Sequence, residues 1–279
     1  MTKISKRGFD LNDQRWFSEK EIIRLRKAHE EIKWLLDRDY KLESIINFVG
    51  GRYQFSTRQR DALKRSTCNT ENEILRKSKE LSIGEITDNT LNIDGFNLII
   101  NLEVALSGGT LIIGDDGLIR DLAGLRGTYK LIDKTDIALN HIFKYLKIKN
   151  IENIKFYLDA PVSNSGNLKI KILEYAEKYK LNTSVELVNN ADVILEKLSN
   201  VVTSDATILD KCISHFNLSK KIIDEYIKDA TIISLIWFLQ INKSAQLMLL
   251  LHYKGSHSYA DFLFLILNYQ FKVILQFAL

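Results

Sequence analysis

Cysteine, proline and histidine are all scarce in this chain. The 279 residues hold two cysteines, one proline and five histidines. Cys68 and Cys212 lie far apart and form no C-x-x-C pair, which argues against a disulfide framework or a thiolate zinc site and makes a reducing cytoplasm the expected compartment. The single proline, Pro161, falls beside Asp159. Neither G-x-x-x-x-G-K-[ST] nor G-x-G-x-x-G occurs, so the common glycine-rich phosphate loops are excluded. No apolar run reaches the roughly 20 residues of a membrane-spanning helix. The start, Met1-Thr2-Lys3-Ile4-Ser5-Lys6-Arg7, has no apolar stretch behind it, so no signal peptide is expected.

Charge is plentiful but uneven. Residues 1–85 carry 19 Lys and Arg against 14 Asp and Glu, whereas the remainder carries 20 against 21. The basic excess sits in the N-terminal third and hints at an anionic partner there. Residues 1–16 are polar and read as a frayed, flexible terminus. Ser18 and Glu21 have capping-box spacing and open a helix through Ile22, Leu25, His29, Ile32 and Leu36. His29 lies on its apolar face and reads as a packed, hydrogen-bonded residue. A second helix is expected over Leu42–Val49, stopping at Gly50-Gly51. Ser56-Thr57-Arg58-Gln59 opens a third, with Arg58, Arg60, Lys64 and Arg65 along it, and a further helix covers Glu71–Leu81. The region 17–85 is therefore expected to be a small all-helical domain, either a nucleic-acid-binding module or a helical cap with a solvated face.

From residue 86 strand-like and helix-like runs alternate, as in an α/β domain. Strands are expected at Leu91–Asp94, Thr110–Ile113, Ile154–Leu158, around Val185 and at Val201–Thr203, all in one parallel sheet over residues 86–230. Four acids follow four of these strands: Asp94, Asp159, Asp192 and Asp205. Ligands of open α/β sheets lie outside the carboxyl ends of the strands, so parallel strands would deliver these acids to one rim. Residues 231–279 differ again, with only four charged residues, Lys243, Lys254, Asp261 and Lys272, among apolar runs. This tail reads as core or dimer-interface helices, as an interfacial segment, or as read-through sequence. Contact with a membrane or a second copy would run through it.

Carboxylates gathered at one rim repel each other, and without a cation at least one would hold a proton. An Asp cluster with little His or Cys prefers hard cations, Mg²⁺ or Mn²⁺. Such ions suit phosphodiester hydrolysis. Each Asp also sits where a helix cap is common, and Asp94-Gly95 and Asp205-Ala206 fit caps well. Asn97, three residues past Asp94, is placed to hold a metal-bound water or to bond backbone. Asp115 and Asp116, between Gly114 and Gly117, add further acid or make a turn. Ser163 and Ser165 follow Asp159 with no nearby histidine to act as base. Their loop is expected to orient Asp159, with the hydroxyls and the next helix N-terminus contacting phosphate.

Ile93-Asp94-Gly95-Phe96-Asn97-Leu98-Ile99 resembles the opening motif of NYN domains in the PIN-like ribonuclease superfamily. Phe156-Tyr157-Leu158-Asp159, Asn190-Ala191-Asp192 and Val201-Val202-Thr203-Ser204-Asp205-Ala206 are similar to its later acidic motifs, in the same order, over residues 86–215. Upstream, Leu35-Leu36-Asp37-Arg38, Tyr40, Val49-Gly50-Gly51-Arg52-Tyr53-Gln54-Phe55, Arg58 and Arg60 resemble a domain of unknown function found mostly in archaea ahead of such a PIN-like domain. Segment 108–134 is longer than the superfamily pattern, and Ala160-Pro161 replaces its usual open loop.

The resemblance implies a three-layer PIN-like α/β domain with a central parallel sheet, preceded by the small all-helical domain. It further implies Mg²⁺ or Mn²⁺ held by Asp94, Asp159, Asp192 and Asp205, with Asn97 in support, and cleavage of single-stranded RNA. Arg52, Arg58, Arg60 and Arg65 would then meet the RNA backbone. Two alternatives stay open: a non-catalytic RNA-binding or scaffold protein on the same fold, and a Mg²⁺-dependent phosphatase.

Overall fold

The computed structural model describes residues 6–86, 90–125 and 127–237. The chain opens with α1 (Asp13–Trp16), α2 (Glu19–Leu36), α3 (Leu42–Arg52), α4 (Thr57–Ser66) and α5 (Thr70–Ser78). Ser56 caps α4 through a capping box with Gln59, as its spacing predicts. Ser18 makes no such side-chain cap, and the Glu21 carboxylate that would close the box bonds Arg24 and the Gln59 amide instead. Helices α2, α3 and α4 bury Leu25, Ala28, Ile32, Ile45, Ile46, Val49, Phe55 and Leu63 in one core.

Two expectations for this region do not hold. Helix α3 runs through Gly50-Gly51 to Arg52, and the positive φ that ends the segment falls at Gln54 instead. Gly50 serves packing: a Cβ there would meet the Arg60 side chain at 2.8 Å. Residues 6–16 are not frayed either. Arg7 is buried and pairs with Glu103, while Asp13 takes Arg58 at 2.8 Å and the Thr110 hydroxyl at 2.7 Å. A basic, polar sequence concealed these pairings because each partner lies far along the chain.

The α/β part follows as β1 (Thr90–Asp94), α6 (Gly95–Leu106), β2 (Leu111–Ile113), β3 (Ile119–Asp121), α7 (Asp133–Ile148), β4 (Asn153–Asp159), α8 (Ser165–Tyr179), β5 (Asn182–Val188), α9 (Asp192–Leu195), β6 (Val201–Val202), α10 (Ala206–Lys211), α11 (Leu218–Tyr226) and β7 (Ile232–Ser234). Strands β1, β4, β5 and β6 form a parallel sheet in the order β5-β4-β1-β6. Alternation along β4 explains how both faces are covered. Phe156 and Leu158 enter the main core with Leu91, Ile93, Phe143 and Ile172, whereas Tyr157 enters a smaller cluster with Ala191, Leu195 and Ile208.

The expected fifth strand does not join this sheet. Thr110–Ile113 yields β2, which pairs antiparallel with β3 and parallel with β7 in a separate three-stranded sheet. The extra segment at 108–134 thus contributes the β2–β3 hairpin of a second sheet. Helix α4 packs on it through Ala62, against Ile112 and Leu122. The fold also continues past the expected boundary at 230: Ile232–Ser234 is a strand, and Leu235 is buried in the helical core. The apolar runs beyond residue 237 lie outside the described residues. Among the described residues no helix is long and apolar enough to cross a membrane.

Candidate active site

Each of the four acids reaches the same rim for a readable reason. The β1–β4 register pairs Asp94 with Tyr157, and the β1–β6 register pairs Ile93 with Val202, so Asp94 lies beside Thr203. Asp159 ends β4, and Asp192 opens α9 just beyond β5. Asp205 caps α10 just beyond β6, accepting from Thr207 N at 2.7 Å. The strands are parallel, so all four carboxyl ends point one way.

Asp94 is the buried member. Its Oδ2 accepts from the Thr203 hydroxyl at 2.9 Å and its Oδ1 from Asn97 N at 3.3 Å. Burial, with the charges of Asp205 and Asp192, outweighs those bonds and pushes its carboxyl up to about 7. Asp192 is raised as well, by burial and then by Asp205, Asp159 and Glu196. Asp159 spends Oδ1 on Ala191 N at 2.8 Å. Asp94 and Asp205 are therefore helix caps and members of an acid cluster together. Among the described residues no group of three or more His, Cys, Asp and Glu is placed so that it could hold a metal ion.

Asn97 is fixed by a chain of hydrogen bonds that reaches the helical region. Its Oδ1 accepts from both Ser204 N and Ser204 Oγ at 2.9 Å. The Ser204 carbonyl accepts from Arg120 Nε at 2.8 Å. Arg120 grips Asp116 with two bonds, at 2.8 and 2.6 Å, and Arg76 of α5 reaches the same carboxylate at 2.8 Å. Because the Asn97 oxygen is occupied by Ser204, its amide NH₂ is the end left for chemistry. The sequence alone assigns no chemical role to Thr203, Ser204 or Arg120. The Thr203-Ser204 pair directly before Asp205 was the available signal, whereas Arg120 had none.

Asp115 and Asp116 form a turn rather than a fifth arm of the cluster. Burial would raise Asp115, but His29, at 3.1 Å, and Lys33 hold it low. His29 is the packed, partnered residue its helix position suggests.

The remaining candidates divide. Ser163 bonds the backbone of Tyr129, accepting from its N at 2.9 Å and donating to its O at 3.1 Å. Ser165 donates to Ala160 O at 3.3 Å. Both hydroxyls are tied to backbone, so they shape the loop after Asp159. Arg58 is committed to Asp13 and the carbonyls of Gly8 and Leu122, and Arg60 to Phe55 O. Arg52 is exposed and pairs with Glu31. Arg65 alone of the four lines a cleft of about 570 Å³ that also includes Asn97, Ser204 and Asp205.

Comparison with known proteins follows the same division of the chain. Residues 24–79 match the protein of unknown function DUF434, and residues 83–221 match the domain of unknown function DUF5616. The uncharacterized protein MJ0935 of Methanocaldococcus jannaschii is 35% identical over 185 residues, covering 66% of this chain and 88% of that protein. This chain belongs to the MJ0935 family. No solved structure matches it. The two matched regions meet between residues 79 and 83, and the 570 Å³ cleft takes its walls from both.

Proposed function

We propose that this member of the MJ0935 family is a metal-dependent ribonuclease with a PIN-like α/β domain. One observation carries the reading: Asp94, buried at the rim, is raised to about 7 by burial and by two neighbouring aspartates. A carboxylate cluster that is unfavourable when all its members are ionised is relieved by a divalent cation.

The donor chemistry suits Mg²⁺ or Mn²⁺. The donors are all oxygens, and Asp159 and Asp205 each have one carboxylate oxygen with no hydrogen bond among the described residues. Asp192 accepts none through its side chain among the described residues, its backbone N being the group that bonds Asn190. Asp94, Asp159, Asp192 and Asp205 would hold the ion. Bound there, it would activate water toward a phosphodiester and neutralise charge growing on the leaving oxygen. Thr203 keeps Asp94 oriented. The Asn97 amide, aimed by Ser204, is a donor to a phosphoryl oxygen.

The test is incubation of labelled single-stranded RNA with the full chain and Mn²⁺, beside Asp94→Asn and Asp205→Asn. Cleavage lost in both variants is the expected result. RNA retention without any cleavage would favour a scaffold on the same fold, and turnover of a phosphate monoester alone would favour a phosphatase.

A further inference from the structure

The cleft that begins at Asn97 and Asp205 continues between the helical region and the α/β part. Its other wall includes Lys64, Arg65 and Asn72, with the exposed carboxylate of Asp61 beside them. At about 570 Å³ it falls within the roughly 300–1,000 Å³ of ligand-binding clefts. Not all of its charge is available. Arg76 and Arg120 are buried and neutralise Asp116, and Arg76 also pairs with Asp210 at 2.6 Å. Lys64 and Arg65 differ. Among the described residues Lys64 is bound in an exposed pair with Glu43, and Arg65 stands 4.0 Å from Asp121, at the limit of an ion pair. An exposed pair such as Lys64–Glu43 contributes little and yields readily to a stronger anion, and Arg65 is itself exposed although Asp121 is buried. The Asn72 side-chain amide has no hydrogen-bond partner among the described residues. Its backbone N is the group bonded to Asn69.

We propose that this cleft binds single-stranded nucleic acid, with Arg65 and Lys64 holding one phosphate while the next comes to the Asn97–Asp205 end. Lys64 and Arg65 outnumber Asp61 at one end and Asp205 stands at the other, an arrangement that suits two phosphates set apart on one chain, which a monoester does not offer. Asn72 lies on the same wall, where an amide can bond a sugar or base edge. The helical region is then half of the substrate site rather than a cap. The proposal rests on the ribonuclease reading for what happens at the acidic end. It does not need cleavage for the binding itself.

The test uses the full chain in EDTA with a fluorescently labelled single-stranded oligouridylate, followed by anisotropy over a range of salt. Arg65→Ala should weaken binding about tenfold and lower the salt slope by about 0.7, the share of one single-strand phosphate contact. Arg65→Lys should restore most of the affinity. Asn72→Ala should weaken binding without changing the slope. Lys147→Ala, on an exposed side chain in the last turn of α7 and outside the cleft, should change neither. Equal losses from Lys147→Ala and Arg65→Ala would overturn the proposal, as would unchanged binding in Arg65→Ala with an unaltered melting temperature. Binding that depends on Arg65 without Mn²⁺-dependent cleavage would keep the cleft and remove the nuclease. Cleavage by a chain whose RNA affinity ignores Arg65 would do the reverse.

Discussion

The Thr203 hydroxyl donates to Asp94 Oδ2 at 2.9 Å, joining residues 109 apart in the chain. The contact exists because β6 lies beside β1 and pairs Val202 with Ile93, so the next residue of each strand meets at the rim. A short hydroxyl on a stiff β-branched side chain then fixes the one buried carboxylate of the cluster.

That carboxylate should make the ion-free protein less stable as pH rises. The ordinary Asp value is about 3.9, and burial with Asp205 and Asp192 lifts Asp94 to about 7. Between those values the folded state keeps a proton that the unfolded state has released, so stability falls across that window and levels off above it. Asp94→Asn has no proton to lose. In EDTA it should melt above the parent at pH 8, by at most about 4 kcal/mol, and converge with it near pH 4. Melting curves at several pH values check this, and Mn²⁺ should raise the parent and not the variant.

Gly95 begins α6 directly after Asp94, where the helix crosses the sheet closely. A Cβ there would stand 2.5 Å from Leu158 Cδ2 and 3.3 Å from Tyr157 O. Gly95→Ala should therefore destabilise the chain by about 1–3 kcal/mol, the usual range for overpacking. Denaturant unfolding measures it, and loss of cleavage should accompany it because Asp94 and Asn97 flank the displaced turn.

Asp116 opposes acid. Burial would raise it, but Arg120 and Arg76 hold it well below the ordinary range. Its contribution is present above the unfolded-state value and is lost as pH falls below that value toward its own. Asp116→Ala leaves two buried guanidiniums without their shared partner and should cost about 3–5 kcal/mol at neutral pH. The loss should shrink as pH falls toward that of acid unfolding, which urea titration across pH would show.

The parts legible in the sequence were those with local causes. The runs before Asp94 and Asp159 are β-branched and aromatic, and an acid follows each. Ser56 and Gln59 announce α4 by spacing alone. The second sheet was not legible, because β2 pairs with β7, and in the chain the last three strands of the parallel sheet lie between them. Gly50-Gly51 misled because glycine ends a helix only where the chain turns left-handed, and here that turn falls at Gln54. Asp115-Asp116 looked like spare acid until His29, Arg76 and Arg120 were brought to it. Arg58 looked like a free cation for the same reason.

Asn97→Ala should separate substrate handling from metal binding. The Asn97 oxygen is engaged by Ser204, which leaves it a donor and not a ligand. Cleavage should fall about 10–100-fold, as for other outer-shell partners, while Mn²⁺ affinity stays near that of the parent. Single-turnover rates paired with Mn²⁺ titration make the distinction.

The central claim is that aspartates from four parallel strand ends share a divalent ion. Mn²⁺ binding to the full chain, followed by the loss of the free-ion electron paramagnetic resonance signal, tests it most directly. The expected result is saturable binding in the parent that is lost in both Asp94→Asn and Asp205→Asn and kept in Asp210→Asn, whose carboxylate serves Arg76. Equal Mn²⁺ binding in the parent, Asp94→Asn and Asp205→Asn would contradict it.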